Sequence, residues 1–268
     1  MENNRAIRAV ACDLDNTLFY SYKHRQADDI CLEWLDGKEQ SFTTPSAYEK
    51  LGLLTAQPGF VPVTTRSLAQ LARIQWPGRP PHLALAANGG ILLRNGAVDA
   101  EYAEVSRRSA AEAMPGLCWL LKTWKDIGIF KTVRIVDDLY IFGHAPDKSE
   151  QELMAVVKEC SEFPAVRTAS LTVQASGHKI YAFPPGISKG EGLKRLAQAG
   201  HMVPEWMAAG DSMIDLSMLL MAAMALVPEG KLAKSLAGEV KAKRCPAGCN
   251  FQEFVVDAAC AWLNIMHR

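Results

Sequence analysis

The apolar run Val10-Ala11-Cys12 stops at Asp13-Leu14-Asp15-Asn16-Thr17-Leu18, two carboxylates spaced i, i+2 and followed by a hydroxyl. Residues of this kind read as a buried strand with Asn16-Thr17 in the loop at its end. Acids at such a place are costly unless a cation or a charged ligand compensates them. Thr64-Thr65-Arg66 ends a second apolar run, Gly210-Asp211-Ser212-Met213-Ile214-Asp215 ends another, and Lys189 stands at the start of a helical stretch. Together these residue types suit transfer of a phosphoryl group. A carboxylate can attack phosphorus and carry the group as an acyl phosphate. A second carboxyl two residues on can protonate the leaving oxygen and then take a proton from water. A threonine hydroxyl and a lysine ammonium can hold the phosphoryl oxygens as charge redistributes. A hard dication such as Mg²⁺, which prefers carboxylate and carbonyl oxygens, offsets the repulsion between nucleophile and phosphate.

Each residue also has an ordinary structural reading. A lone Asp after a strand is usually a turn or helix-cap residue. Thr64-Thr65-Arg66 fits an N-cap followed by a solvated arginine, and Lys189 fits a surface lysine at a helix start. What sets the group apart is its joint occurrence at strand ends. In an open parallel sheet, ligands bind beyond the carboxyl ends of the strands at a topological switch point.

The elements that must position these residues alternate strand and helix, which predicts a parallel sheet. Strands are expected over 7–12, 60–64, 83–87, 206–209 and 223–227. Helices are expected from Ser67, with Leu68, Leu71, Ala72 and Gln75 on one face and Pro77-Gly78 as the stop, over 188–200, and over 251–263. The middle of the chain has a different character. A hairpin with an Asn95-Gly96 turn over 91–98, strands within 133–142 and 171–183, and helices over 109–125 and 148–163 form an α+β block that Pro184-Pro185-Gly186 closes. The expected fold is α/β: a Rossmann-like parallel-sheet core over 1–86 and 187–268, with an inserted α+β domain over 87–186.

Composition narrows the function further. Of 268 residues, 29 are Lys or Arg and 29 are Asp or Glu, so the net charge is zero and nothing favours nucleic acid or an anionic membrane as a partner. No apolar run reaches the roughly 18 residues of a membrane span. The first residues carry no signal-peptide pattern, and the seven cysteines read as reduced thiols, so a cytoplasmic setting is expected. Cys245 and Cys249 lack a second Cys/His pair at zinc spacing. No Gly-x-Gly-x-x-Gly follows the first strand, which argues against a dinucleotide site.

The motifs Asp-Leu-Asp-Asn-Thr-Leu (13–18), Gly-Ile-Ser-Lys-Gly (186–190) and Gly-Asp-Ser-x-x-Asp (210–215) occur in the order found in the haloacid dehalogenase superfamily of aspartate-nucleophile phosphatases, which the sequence resembles over its whole length. The insertion resembles the class-two, type-B cap of sugar-phosphate phosphatases such as those acting on sucrose phosphate and mannosyl-3-phosphoglycerate. The resemblance implies a Mg²⁺-dependent phosphatase that hydrolyses a small phosphorylated metabolite, a sugar phosphate by preference, through an aspartyl-phosphate. It implies Asp13 as nucleophile and metal ligand, Asp15 as general acid and base with its backbone carbonyl on the metal, and Asp211 as a further metal ligand. Asp215 would be a supporting residue that orients Lys189 or a metal-bound water. Thr64, with Thr65, Arg66, Asn88 and Lys189, would bind phosphate; Lys189 would also neutralise the nucleophile–phosphate pair; Asn88 and Gly89 would form the hinge into the cap. Two positions depart from the family pattern: Thr65 stands where a glycine is usual, and Ile214 stands where an asparagine is usual.

In the cap, Asp137-Asp138, His144, His178-Lys179 and Tyr181 are candidates to face the substrate, against plain readings as turn and strand-edge residues. Two other functions fit the same residues: a phosphomutase that passes the phosphoryl group to a second hydroxyl, and a non-catalytic protein that binds a phosphorylated ligand.

Overall fold

In the computed structural model, which describes residues 7–265, the chain forms two units. One takes the chain up to Asp99 and again from Lys189; the other is Ala100–Ser188. The first unit begins with β1 (Ala9–Cys12), whose four residues are all buried. β2 (Tyr20–Ser21), β3 (Ile30–Leu35) and β4 (Lys38–Thr43) follow as an antiparallel sheet in the order β2-β4-β3. The β3–β4 hairpin turns at Asp36-Gly37, both left-handed with φ of 50° and 73°, as a tight Asp-Gly turn demands. This segment and α1 (Pro45–Thr55), capped by the Thr44 hydroxyl, lie between the first two strands expected from sequence and were absent from that reading.

β5 (Phe60–Pro62) then pairs with β1 in parallel. α2 (Leu68–Leu71) opens with a full capping box between Ser67 and Gln70, yet it is one turn long, shorter than the periodicity predicts. The chain leaves the helix because Gln75 donates its N–H to the Leu32 carbonyl and Ile74 bridges to Glu33, so residues 74–75 join the hairpin. β6 (Leu83–Ala86), β7 (Ile91–Arg94) and β8 (Ala97–Val98) form an antiparallel meander. The expected 91–98 hairpin therefore extends β6 inside the first unit, and the boundary expected at residue 87 falls after Asp99.

The inserted unit opens with α3 (Ala100–Ile127), 28 residues with Pro115 inside it, longer than the helix read over 109–125. β9 (Thr132–Val136) and β10 (Tyr140–His144) are separated at Asp137-Asp138, both left-handed. α4 (Glu150–Glu162) and α5 (Pro164–Thr168) precede the hairpin of β11 (Thr172–Ser176) and β12 (Lys179–Phe183). The sheet order is β11-β12-β10-β9, antiparallel throughout. Ile141, Ile180 and Ala182 pack on Leu117, Leu120, Trp124 and Leu153 from the helices. Alternation along the strands sends Tyr140, Phe142, Tyr181 and Phe183 to the opposite face as an aromatic cluster, with ring centroids 5.0–6.3 Å apart.

From α6 (Lys189–Gln198) the α/β rhythm resumes. β13 (Trp206–Ala209) is followed by α7 (Leu216–Leu219), β14 (Met224–Val227), α8 (Lys231–Ser235), β15 (Ala242–Arg244) and α9 (Phe251–Trp262), which packs on α1. The parallel sheet runs β15-β14-β13-β1-β5. β1 thus lies between the strand that follows it in the core and one reached only after the insertion, which is where the strand order switches. Among the described residues no helix is long and apolar enough to cross a membrane.

Candidate active site

Strand register brings the expected residues together. Cys12 is level with Ala209 on one side and Pro62 on the other, so β1, β13 and β5 end side by side. Asp13 donates its N–H to the Ala209 carbonyl at 2.9 Å, and Val63 donates to the Cys12 carbonyl at 2.7 Å. The loops bearing Asp13, Asp211 and Thr64 therefore start from neighbouring strand ends of the first unit.

Lys189, the first residue of α6, is 1% exposed, and its ammonium donates to Asp13 Oδ1 and, at 2.5 Å, to Asp215 Oδ1. Two glycines permit this arrangement by close approach. A Cβ at Gly190 would lie 2.5 Å from the Ser217 carbonyl oxygen, and one at Gly210 would lie 2.5 Å from Asp215 Cβ. Asp215 Oδ2 accepts from the N–H groups of Asp211 and Ser212 and from the Ser212 hydroxyl. Both Asp215 oxygens are thus engaged by the protein, one fixing the turn that carries Asp211 and the other holding Lys189.

Carboxylate oxygens of Asp13, Asp211 and Asp215 all lie within 4.8 Å of one another. Burial pushes the Asp13 carboxyl well above its ordinary range; Lys189 opposes this, and Asp215, Asp211 and Asp15 add repulsion. Asp211 is pushed up to about 7 by burial and by Asp215, against Lys189 and a hydrogen bond from the Asn16 side chain. Burial alone would depress Lys189, but Asp13 and Asp215 hold its ammonium above its ordinary range. Three acids against one ammonium leave excess negative charge at a partly buried spot, and the donors are all hard oxygens. The set fits a Mg²⁺-type dication.

Asp15 points elsewhere. Its Oδ2 and Oδ1 accept from Arg66 Nε at 2.9 Å and Nη2 at 2.7 Å, a bidentate fork. Arg66 Nη1 reaches Glu33 Oε2 at 2.8 Å, and Nη2 also donates to Ser41 Oγ at 3.1 Å. Arg66, expected on phosphate, therefore has its guanidinium engaged within the first unit. Thr64 is fully buried; its hydroxyl accepts from the Arg66 N–H at 3.1 Å. Asn88 donates its N–H to the Thr64 carbonyl, and Ala87 donates to that of Arg66. Ala87, Asn88 and Gly89 are three consecutive left-handed residues, so a strained turn is tied to the Thr64–Arg66 loop.

Sequence reasoning missed Glu33, Ser41 and Arg73, which belong to the unread hairpin and the truncated helix. It also missed Asn16, whose left-handed backbone (φ 61°) aims its side chain at Asp211. An Asn after a strand and the Asp36-Gly37 turn signal were both present in the sequence.

The model of the haloacid dehalogenase-like hydrolase family matches residues 139–227, a span holding Lys189, Asp211 and Asp215. Over those residues the chain is similar to the haloacid dehalogenase-like hydrolases. Solved structures share the fold over nearly the full length. A sucrose-phosphatase from Synechocystis, in complex with sucrose and phosphate, has a TM-score of 0.64 and 16% identity, covering 96% of this chain and 98% of its own. The C-terminal domain of Candida albicans trehalose-6-phosphate phosphatase has a TM-score of 0.63 and 14% identity, covering 98% and 94%. A Thermoplasma acidophilum protein has a TM-score of 0.59 and 13% identity, covering 98% and 100%. No curated protein matches at the sequence level.

Against the pattern of these hydrolases, Thr65 is half-buried and Ile214 is 7% exposed, packed in the turn before Asp215. In the inserted unit, Tyr181 belongs to the aromatic cluster and His144 is half-buried on β10. His178 lies at an exposed turn, where its Nδ1 is 2.6 Å from the Lys148 carbonyl oxygen.

Proposed function

We propose that the protein is a phosphatase that hydrolyses a phosphomonoester of a small metabolite, a sugar phosphate by class, through a phosphorylated Asp13. The observation that carries this reading is the buried Lys189 bonded to Asp13 at the tip of β1, with Asp211 alongside. Asp13 would attack phosphorus as the bond to the leaving oxygen breaks, and Asp15 would give its proton to that oxygen. Asp15, now a carboxylate, would take a proton from water as the water oxygen attacks that phosphorus and the bond from phosphorus to the Asp13 oxygen breaks. That step releases inorganic phosphate and restores both carboxyls. Lys189 holds Asp13 in place and keeps positive charge beside it, while Asp215 holds Lys189. The Thr64 hydroxyl and the Asn88 turn are candidates to hold phosphoryl oxygens. Asp13 and Asp211, with the Asp15 carbonyl, would hold Mg²⁺, which when bound supplies charge neutralisation at the phosphoryl group.

Two neighbours named for sucrose and trehalose phosphates support the sugar-phosphate class. The inserted unit would act as the cap that selects the leaving group, and a cytoplasmic setting suits a metabolite phosphatase of this kind. A screen of sugar, nucleotide and cofactor monophosphates with Mg²⁺ tests the reading by phosphate release. The wild type is expected to turn over at least one sugar phosphate, and Asp13→Asn to abolish turnover while keeping the fold. Retained turnover in Asp13→Asn would overturn the nucleophile assignment.

A further inference from the structure

We propose that Glu33, on hairpin strand β3, is a positioning residue that acts through Arg66 to fix Asp15. This rests on the phosphatase reading, in which Asp15 is the acid and base. A guanidinium is a rigid plane of five donors, so pinning one edge sets the direction of the other. Arg66 presents Nε and Nη2 to Asp15 and Nη1 to Glu33. Ser41 ties the pair together, accepting from Arg66 Nη2 and donating to Glu33 Oε2 at 2.7 Å. Arg73 closes the far end, with Nε at 2.9 Å and Nη2 at 2.7 Å from Glu33 Oε1.

The exposure gradient gives this chain its direction. Side-chain exposure is 3% at Glu33, 9% at Arg66 and 44% at Asp15, so the anchor is at the buried end and the accessible carboxyl at the other. Glu33 stands inward because the β3–β4 register shifts on both sides of it. Such bulges re-aim side chains, often beside active sites. A buried carboxylate inside a half-exposed hairpin is hard to explain as core packing, and Arg66 with Arg73 keeps it ionised: burial would raise its carboxyl, but Arg66, Ser41 and Arg73 hold it below its usual range.

An acid-positioning role makes a prediction that a scaffold role does not. Aryl phosphates from 2,4-dinitrophenyl to phenyl phosphate, assayed with Mg²⁺, differ in how much their leaving oxygen needs a proton. Glu33→Gln is expected to lower kcat/KM for phenyl phosphate by about 10- to 100-fold and for 2,4-dinitrophenyl phosphate by less than about 3-fold. Asp15→Asn should show the same slope more strongly, and the double variant should be no worse than Asp15→Asn alone. A loss uniform across the series, or additive in the double variant, would overturn the proposal. Should Glu33→Gln fail to fold by circular dichroism, Ser41→Ala is expected to show the same leaving-group dependence at smaller amplitude, and its absence there overturns the proposal equally. If the wild type releases phosphate neither from this series nor from the sugar, nucleotide and cofactor monophosphates, the phosphatase reading itself fails and takes this assignment with it.

Discussion

On one side of the β1 tip, Lys189 stands among three carboxylates, Asp13, Asp211 and Asp215; on the other, Arg66 and Arg73 are matched with two, Asp15 and Glu33. The first cluster is short of positive charge, and burial together with repulsion among its carboxylates raises Asp13 and Asp211. The second is balanced, and Glu33 lies below its ordinary range. An unbalanced buried cluster is completed by something from outside, whereas a balanced one is complete in itself and can only orient what it touches. Catalysis of phosphoryl transfer needs both: a place where added charge is welcome, and a fixed arm for proton transfer.

The largest expected effect comes from deepening the imbalance. Lys189→Met leaves Asp13 and Asp215 buried without their ammonium, and breaking a buried pair this way costs about 3–5 kcal/mol. Urea unfolding should show that loss, with added Mg²⁺ restoring part of it; a neutral outcome would mean that the cluster relaxes without its cation.

Filling the deficit tests the same cluster more gently. Mg²⁺ at about 100 times its dissociation constant should stabilise the folded chain by about 2.7 kcal/mol, read as a rise in melting temperature. Asp211→Asn should weaken that response strongly, while Glu33→Gln should leave it unchanged. Equal sensitivity in both variants would erase the distinction between the clusters.

The smallest effect concerns the balanced side. Because Glu33 is held below its unfolded value, the unfolded chain takes up its proton first as pH falls. The stability it contributes is present above its ordinary carboxyl range and is lost on acidification towards its folded value. Arg66, Arg73 and Ser41 face it. From about pH 5 down to about pH 3, the wild type should lose melting temperature more steeply than Glu33→Gln.

The parallel core was legible where its strands are apolar and end in loops, as at Cys12–Asp13 and Ala209–Gly210, and not at β15, whose Ala242-Lys243-Arg244 is exposed and basic. The charged residues at those loops were legible for the same reason. The β3–β4 hairpin was not, since Ile30–Leu35 and Lys38–Thr43 mix burial and exposure, and a bulge breaks the alternation at Glu33. The α2 region misled because its period is helical through Gln75, while hydrogen bonds to the hairpin claim residues 74 and 75. The partner of Asp15 was hidden for a related reason: Arg66 is adjacent to a phosphate-type loop, and only the hairpin's return places Glu33 and Ser41 around its guanidinium.

Gly210 shows how differently mutation can act here. The space its missing side chain would fill belongs to Asp215, whose carboxylate joins the turn bearing Asp211 to the ammonium of Lys189. A single methyl at that backbone position is thus not only a matter of volume. It displaces Asp215, and with it the grip on Lys189, so a steric change in the main chain becomes a change of charge beside Asp13. Substitutions at 210 and 189 would then be epistatic, with the cost of one depending on what stands at the other.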